Sequence, residues 1–143
     1  MSTRGFENIL AVETSSFRLK LALSFGSDRL VKLDEEVERS HGRVIIRKIE
    51  NLLSSAGLKP GDVDGIVVST GPGSFTGLRI GLAATKGFAV ALGIPLVGIS
   101  LFELAAWNFW ERSEPVFVAV QVRRDELLCA RIDHGRVDLE NVR

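Results

Sequence analysis

The sequence contains a single cysteine, Cys129, among its 143 residues. A lone cysteine excludes an internal disulfide framework and a thiolate metal cluster, because both need several cysteines. The chain also has no net charge, since 18 basic residues balance 18 acidic ones. Without a large positive field, strong autonomous binding to DNA or RNA is not expected. The apolar fraction of 45% nevertheless indicates a globular protein with a substantial core.

Long apolar runs are also missing. No apolar signal-peptide core follows Met1, and Arg79 and Lys86 interrupt the longest candidate for a membrane span. We therefore expect a cytoplasmic protein that does not contact a membrane. These two residues are the only charged ones between Gly65 and Phe102. Such an apolar segment must be covered on more than one side, and we expect the core on one side and a partner subunit on the other.

The hydrophobic pattern predicts the element order β-β-β-α-β-α-β-α, followed by a hairpin and a third short strand. Period-two alternation indicates the opening strands, and helical spacing after Ser40, the expected N-cap, indicates the first helix. This order is typical of an α/β domain with a mixed sheet flanked by helices. Val116 starts a repeat of the opening strands. We therefore expect a first domain over residues 1–112 and the beginning of an incomplete second one over residues 113–143. The second part must pack against the first domain or against another chain, because a lone hairpin is marginally stable.

A glycine-rich turn, Gly71-Pro72-Gly73-Ser74-Phe75-Thr76-Gly77, joins a buried strand to a helix. Backbone N–H groups and the helix dipole at such a junction favour an anion. The turn is neither a P-loop nor a nucleophile elbow, because the required lysine and serine spacings are absent. Two interpretations stay open: a tight turn that needs small residues, or a phosphate or nucleotide contact. The candidate contact residues are Thr14, Ser15, Gly71, Gly73, Ser74 and Thr76.

Small residues line the helix that follows the turn. Glycine destabilises a helix by about 1 kcal/mol relative to alanine, so several glycines in one helix indicate a structural requirement. Close approach of a second helix supplies one, and we favour a subunit interface over internal packing. On that interpretation, Gly81→Leu is expected to abolish dimerisation and leave the monomer folded.

The sequence offers no pattern of catalytic or metal-ligating residues. His41 and His134 are the only histidines, and they are too far apart to form a local metal motif. No Ser-His-Asp, Cys-His or paired-carboxylate arrangement follows from the spacing. Glu13 and the hydroxyls that follow it permit a phosphate or metal contact, although taken alone they are better explained by ordinary turn chemistry.

Four segments closely resemble the bacterial TsaB (YeaZ) family. They are ILAVETSS at 9–16, STGPGSFTGLRIG at 69–81, KGFA at 86–89 and GIPLVG at 93–98. The resemblance covers roughly residues 8–132. It implies an actin-like ATPase (ASKHA) fold with two domains of RNase H-like topology, the second of them truncated here.

The resemblance also implies a function in the formation of threonylcarbamoyladenosine next to the tRNA anticodon. Members of this family are non-catalytic partners of a catalytic paralogue of the TsaD family, and they act with a small ATPase of the TsaE family. They also form homodimers, and tRNA binds through the complex. No cofactor is required, although an adenine nucleotide bound weakly at a subunit interface is compatible with this role. The alternative is a nucleotide-binding or ATP-hydrolysing enzyme of the actin-like fold. No residues support peptidase activity, despite the glycoprotease-like kinship.

The resemblance places the interface on helices of the first domain. The residues carried over are Gly77, Ile80, Gly81, Ala84, Gly87 and Phe88 on one helix, and Ile45 and Ile49 on another. Three departures from the family pattern matter. Glu13 replaces the usual Asp, Gln121 replaces an expected acid, and the chain is shorter than family members. The paired metal histidines of the catalytic relative are also absent.

Overall fold

The computed structural model describes residues 5–37 and 41–140. The predicted element order is confirmed, and one turn of 3₁₀-helix follows the first α-helix. The expected N-cap, Ser40, lies outside the described residues. The strands are β1 (Ile9–Glu13), β2 (Arg18–Phe25), β3 (Arg29–Glu36), β4 (Gly65–Ser69), β5 (Leu96–Ile99), β6 (Val116–Arg123), β7 (Glu126–Asp133) and β8 (Arg136–Glu140), and the helices are α1 (His41–Ser55), α2 (Phe75–Leu92) and α3 (Leu101–Phe109).

A five-stranded mixed sheet of order β3-β2-β1-β4-β5 forms the centre of the molecule. The first three strands form an antiparallel meander, and β4 and β5 then add parallel strands beside β1. The parallel pairings require crossover connections, and α1 and α2 supply them. The carboxyl ends of β1, β4 and β5 therefore lie at one end of the sheet, where ligand sites of open α/β sheets form.

The hydrophobic core lies between this sheet and helices α1 and α2. Leu10, Leu19 and Leu23 point from the sheet into the core and are fully buried. Ile45 and Ile49 of α1 meet them from the opposite side, with 1% and 0% of their surface exposed. The predicted role of these two isoleucines in a subunit interface is therefore wrong, because they are core residues.

A second, three-stranded antiparallel sheet of order β6-β7-β8 follows α3. Ala130 and Ile132 of β7 are buried, and α3 packs against the sheet on this side. The second sheet thus packs against α3 of the preceding part of the chain. This is one of the two outcomes expected, because a hairpin alone is only marginally stable. The division into domains at residue 112 stays a prediction.

Among the described helices, α2 is long and apolar enough to cross a membrane, judged by length and composition alone. Its buried residues, Gly77, Gly81, Thr85 and Ala89, recur every fourth position and face the chain's own core. This spacing is that of a helix with one side packed on a sheet.

Candidate functional site

The candidate contact residues come together at the carboxyl ends of β1 and β4. Ser74 caps α2, since its Oγ accepts a hydrogen bond of 3.2 Å from the Gly77 N–H. The Ser74 N–H donates to the carbonyl of Ser15 over 2.6 Å, which ties the glycine-rich turn to the segment after β1. Gly71 has φ +89°, a conformation that favours glycine, and its carbonyl accepts from the Leu101 N–H over 2.7 Å.

Close packing against Thr14 and Ser15 explains three of the glycines. A Cβ at Gly73 would overlap the carbonyl of Ser15, and one at Gly77 would overlap the carbonyl of Thr14. At Gly81, an added Cβ would overlap the Thr14 side chain. The turn and the first two turns of α2 therefore lie directly on the chain that leaves β1. This geometry favours the interpretation as a tight turn that needs small residues.

Two polar atoms in this region are buried without a hydrogen-bond partner: Oγ1 of Thr14 and Oε2 of Glu13. The other carboxylate oxygen of Glu13 accepts a hydrogen bond from the Ser15 N–H. Glu13 therefore stabilises the turn after β1, as expected of turn chemistry. Thr76, by contrast, is exposed at the start of α2. Contact of these residues with a phosphate or nucleotide stays a prediction.

A cavity of about 570 Å³ opens beside the turn. Thr70 and Gly71 form one wall, Phe102 at the start of α3 forms another, and Leu128 and Leu139 of the second sheet complete it. The lining is mostly apolar, with hydroxyls on the side of the turn. Within residues 5–37 and 41–140, no three His, Cys, Asp or Glu side chains come together in a group that could hold a metal ion.

The structure corrects the assignment of Gly77 and Gly81 to a subunit interface. Both are buried, and the close approach that they permit is made by Thr14 of the same chain. The expectation for Gly81→Leu is wrong for the same reason, since the larger side chain would collide with Thr14 inside the monomer.

The opposite side of α2 is exposed and largely apolar. We call it the outer face; its residues are Phe75, Arg79, Leu82, Ala83, Lys86, Gly87, Val90 and Ala91. Val90 is 75% exposed and Leu82 is 45% exposed. Nothing lies within 4 Å of a Cβ built on Gly87, so no contact inside the chain explains this glycine. Leu82 and Val90 are not among the residues predicted for an interface, although their phase on the helix, opposite the buried glycines, is a usable signal.

The remaining interface candidates lie between these two sides of α2. Ala84 and Phe88 are half-buried and pack against the core. Ile80 is half-buried and faces Gly42 at the start of α1. Of the residues assigned to an interface, Gly87 is therefore the one on the outer face.

The fold defines the class of the protein: an α/β protein of the actin-like, RNase H-like kind. The family model for TsaD, tRNA N6-adenosine threonylcarbamoyltransferase, matches residues 33–142. The chain belongs to this family, in its TsaB/YeaZ group.

Individual relatives agree with this assignment. The chain is 29% identical over 131 residues to the tRNA threonylcarbamoyladenosine biosynthesis protein TsaB of Haemophilus influenzae, covering 90% of this chain and 55% of that protein. It is 30% identical over 125 residues to TsaB of Escherichia coli, covering 85% and 53%. The structure of YeaZ from Pseudomonas aeruginosa superposes with a TM-score of 0.76 at 31% identity, covering 95% and 65%. The chain thus spans about half the length of these two TsaB proteins.

Proposed function

We propose that this protein is a non-catalytic partner subunit in the formation of threonylcarbamoyladenosine on tRNA. It binds and stabilises the catalytic TsaD-family paralogue, acts together with a small TsaE-family ATPase, and contacts tRNA through the complex. Similarity to proteins of tRNA threonylcarbamoyladenosine biosynthesis supports the pathway. The exposed outer face of α2 is the observation that carries the role of partner subunit.

The outer face suits contact with a second helix. Large exposed apolar side chains that lie together mark interaction sites. Leu82 and Val90 lie two helical turns apart on the exposed side of α2, with Lys86 between them. Gly87 adds a position where a neighbouring backbone can approach closely. The same face serves a homodimer when the paralogue is absent.

His134 takes part in a surface contact of the second sheet. His134 lies in the exposed β7–β8 turn, where its Nδ1 is 2.7 Å from a carboxylate oxygen of Asp133. That hydrogen bond is the first cause of the lowered pKa of Asp133, and Arg131 adds to it. Asp133 therefore holds both His134 and Arg131 at the β7–β8 turn.

A second candidate function is binding or hydrolysis of an adenine nucleotide. The cavity of about 570 Å³ beside Thr70 and Gly71 favours it, because it adjoins the turn at the carboxyl ends of the strands. Against it, the Ser74 N–H is already taken by the Ser15 carbonyl. Calorimetric titration with ATP and an assay for phosphate release test this candidate, and turnover by the isolated chain would favour it over the first.

The test of the first proposal is light scattering on a size-exclusion column, with the chain alone and mixed with the TsaD-family paralogue of the same organism. We expect a one-to-one complex that Val90→Glu abolishes, because a carboxylate on the outer face cannot be buried against an apolar partner without a large cost. Leu30→Glu is the matched control, since Leu30 is 53% exposed on β3, away from α2. Equal loss of the complex in both variants, or in neither, would reject the outer face as the binding surface.

A further inference from the structure

The charged residues of the outer face are both of one sign. Arg79 and Lys86 are its two charged members, and both side chains are exposed. The sequence has no acidic residue between Gly65 and Phe102, so α2 offers them no carboxylate of its own. In the part of the chain that the structure describes, neither cation forms an ion pair. The outer face is therefore positively charged.

The two cations lie among the apolar side chains of the outer face. Arg79 and Lys86 are seven positions apart, which places them on the same side of α2 and about 10 Å apart along its axis. Leu82 lies between them, and Val90 follows Lys86 by one helical turn. The guanidinium carbon of Arg79 is 5.3 Å from the centre of the Phe75 ring, which holds this charge on the face. A partner that covers the apolar side chains therefore also covers both charges.

The neighbouring helix does not supply the missing negative charge. α1 packs beside α2. Over residues 44–55 of α1, the charges of the exposed Arg47 and Glu50 cancel, and Lys48 is paired with Glu35 of β3. The surface that these parts of α1 and α2 form together keeps the positive charge of the outer face.

We propose that Arg79 and Lys86 select the partner of the outer face. They favour a partner whose covering surface carries Asp or Glu opposite them, and they disfavour a second copy of this chain. This inference rests on the proposed function, in which the outer face binds the TsaD-family paralogue. A charge that is covered without a counter-charge destabilises a complex, so acidic residues on the paralogue are what a stable complex requires.

A homodimer through the outer face lacks these acidic residues. A twofold interface applies the same patch of each copy to the other. The patch holds two cations and no acid, so each cation meets apolar side chains or the cations of the other copy. Like charges brought together across an interface disfavour that interface. The homodimer is therefore weaker than the complex with the paralogue.

The exposed apolar residues favour a protein over a nucleic acid as the occupant. Phosphate groups are bound by basic and polar groups, and they would leave Leu82 and Val90 uncovered. The chain as a whole also has no net charge that would attract a nucleic acid.

The experiment removes both charges and keeps long polar side chains. The variant Arg79→Gln/Lys86→Gln is titrated calorimetrically with the paralogue, and its self-association is measured by analytical ultracentrifugation. We expect about tenfold weaker binding of the paralogue and about tenfold tighter homodimerisation, because the first assembly loses two ion pairs and the second loses two repulsions. Damage to the fold would instead weaken both assemblies.

Salt gives a second measurement, on the unmodified chain. Raising sodium chloride from about 0.05 M to about 0.5 M shortens the screening length from more than 10 Å to less than about 5 Å. Binding of the paralogue should weaken with salt, and the homodimer should tighten. Both trends should be smaller in the double variant.

Lys20→Gln/Lys32→Gln is the matched control. Both lysines are exposed, and they lie on β2 and β3 with their side chains on the face of the sheet opposite to the buried Leu19 and Leu21. Removing these two charges should change neither dissociation constant.

The outcomes separate this inference from the proposed function. If the paralogue binds the Arg79→Gln/Lys86→Gln variant as tightly as the unmodified chain, or if the homodimer does not tighten, the inference is overturned. The proposed function then stands, because Val90→Glu tests it separately. Absence of any complex with the unmodified chain would reject the proposed function and this inference with it. Binding of tRNA by the chain alone that the double variant loses would assign the two charges to a nucleic acid and would also overturn the inference.

Discussion

Thr14 occupies the space into which a side chain at Gly81 would project. The threonine follows β1 and is fully buried, and the glycine lies two turns into α2. The contact sets the depth at which α2 lies on the sheet. It therefore also sets the position of the outer face, on the opposite side of the same helix.

The first prediction concerns the fit between these two residues. Gly81→Ala should lower the free energy of unfolding by about 2 kcal/mol, because an inserted methyl group must displace the Thr14 side chain. In the double variant with Thr14→Ala, the loss should be smaller than the sum of the two single losses. Urea unfolding of the four proteins measures this coupling.

Gly87→Ala is the control for that prediction. Nothing surrounds a Cβ at this position, so alanine should be neutral or stabilise the helix by up to about 1 kcal/mol. Equal destabilisation by Gly81→Ala and Gly87→Ala would mean that Thr14 does not limit the space at Gly81.

The second prediction concerns the unpartnered hydroxyl of Thr14. Replacing a buried hydroxyl that makes no hydrogen bond with a methyl group of similar shape removes an uncompensated desolvation cost. Thr14→Val should therefore raise the free energy of unfolding by about 1 kcal/mol, measured in urea. A clear loss of stability would contradict this expectation, and loss of stabilisation by added phosphate in the same variant would support the contact with an anion.

The third prediction concerns the N-terminus of α3. Ser100 and Glu103 form a capping box, in which the Ser100 N–H donates to the Glu103 carboxylate over 2.7 Å. This hydrogen bond is the main cause that lowers the pKa of Glu103, and the Ser100 hydroxyl adds to it. A lowered pKa in the folded state means that the carboxylate's contribution is present at neutral pH and is lost as pH falls through that pKa.

NMR titration of the Glu103 carboxyl carbon should therefore give a pKa below the ordinary glutamate value of about 4.3. In Glu103→Gln, the stability of the protein should fall less steeply on acidification. The urea-unfolded chain provides the reference titration. A folded-state pKa at or above that reference would contradict the capping role.

The order of strands and helices along the chain could be predicted because each element depends on a local period. Alternation in Leu19, Leu21 and Leu23 identified β2, and these residues are buried as the pattern requires. The reason for Gly81 could not be predicted, since it depends on Thr14, which is 67 positions earlier and comes close only when α2 packs beside β1. Small residues in a helix indicate a close approach, but the sequence does not say whether the neighbour is internal or external.

The last prediction separates the two sides of α2 with one type of substitution. Gly87→Leu should leave the free energy of unfolding within about 1 kcal/mol of the original, because the position is open to solvent. It should weaken binding of the TsaD-family paralogue at least tenfold, because the leucine blocks close approach of a partner helix. Gly81→Leu should instead unfold the chain or reduce its yield, since the leucine would collide with Thr14. Calorimetric titration with the paralogue and urea unfolding measure the two effects, and undiminished binding by folded Gly87→Leu would remove this glycine from the interface.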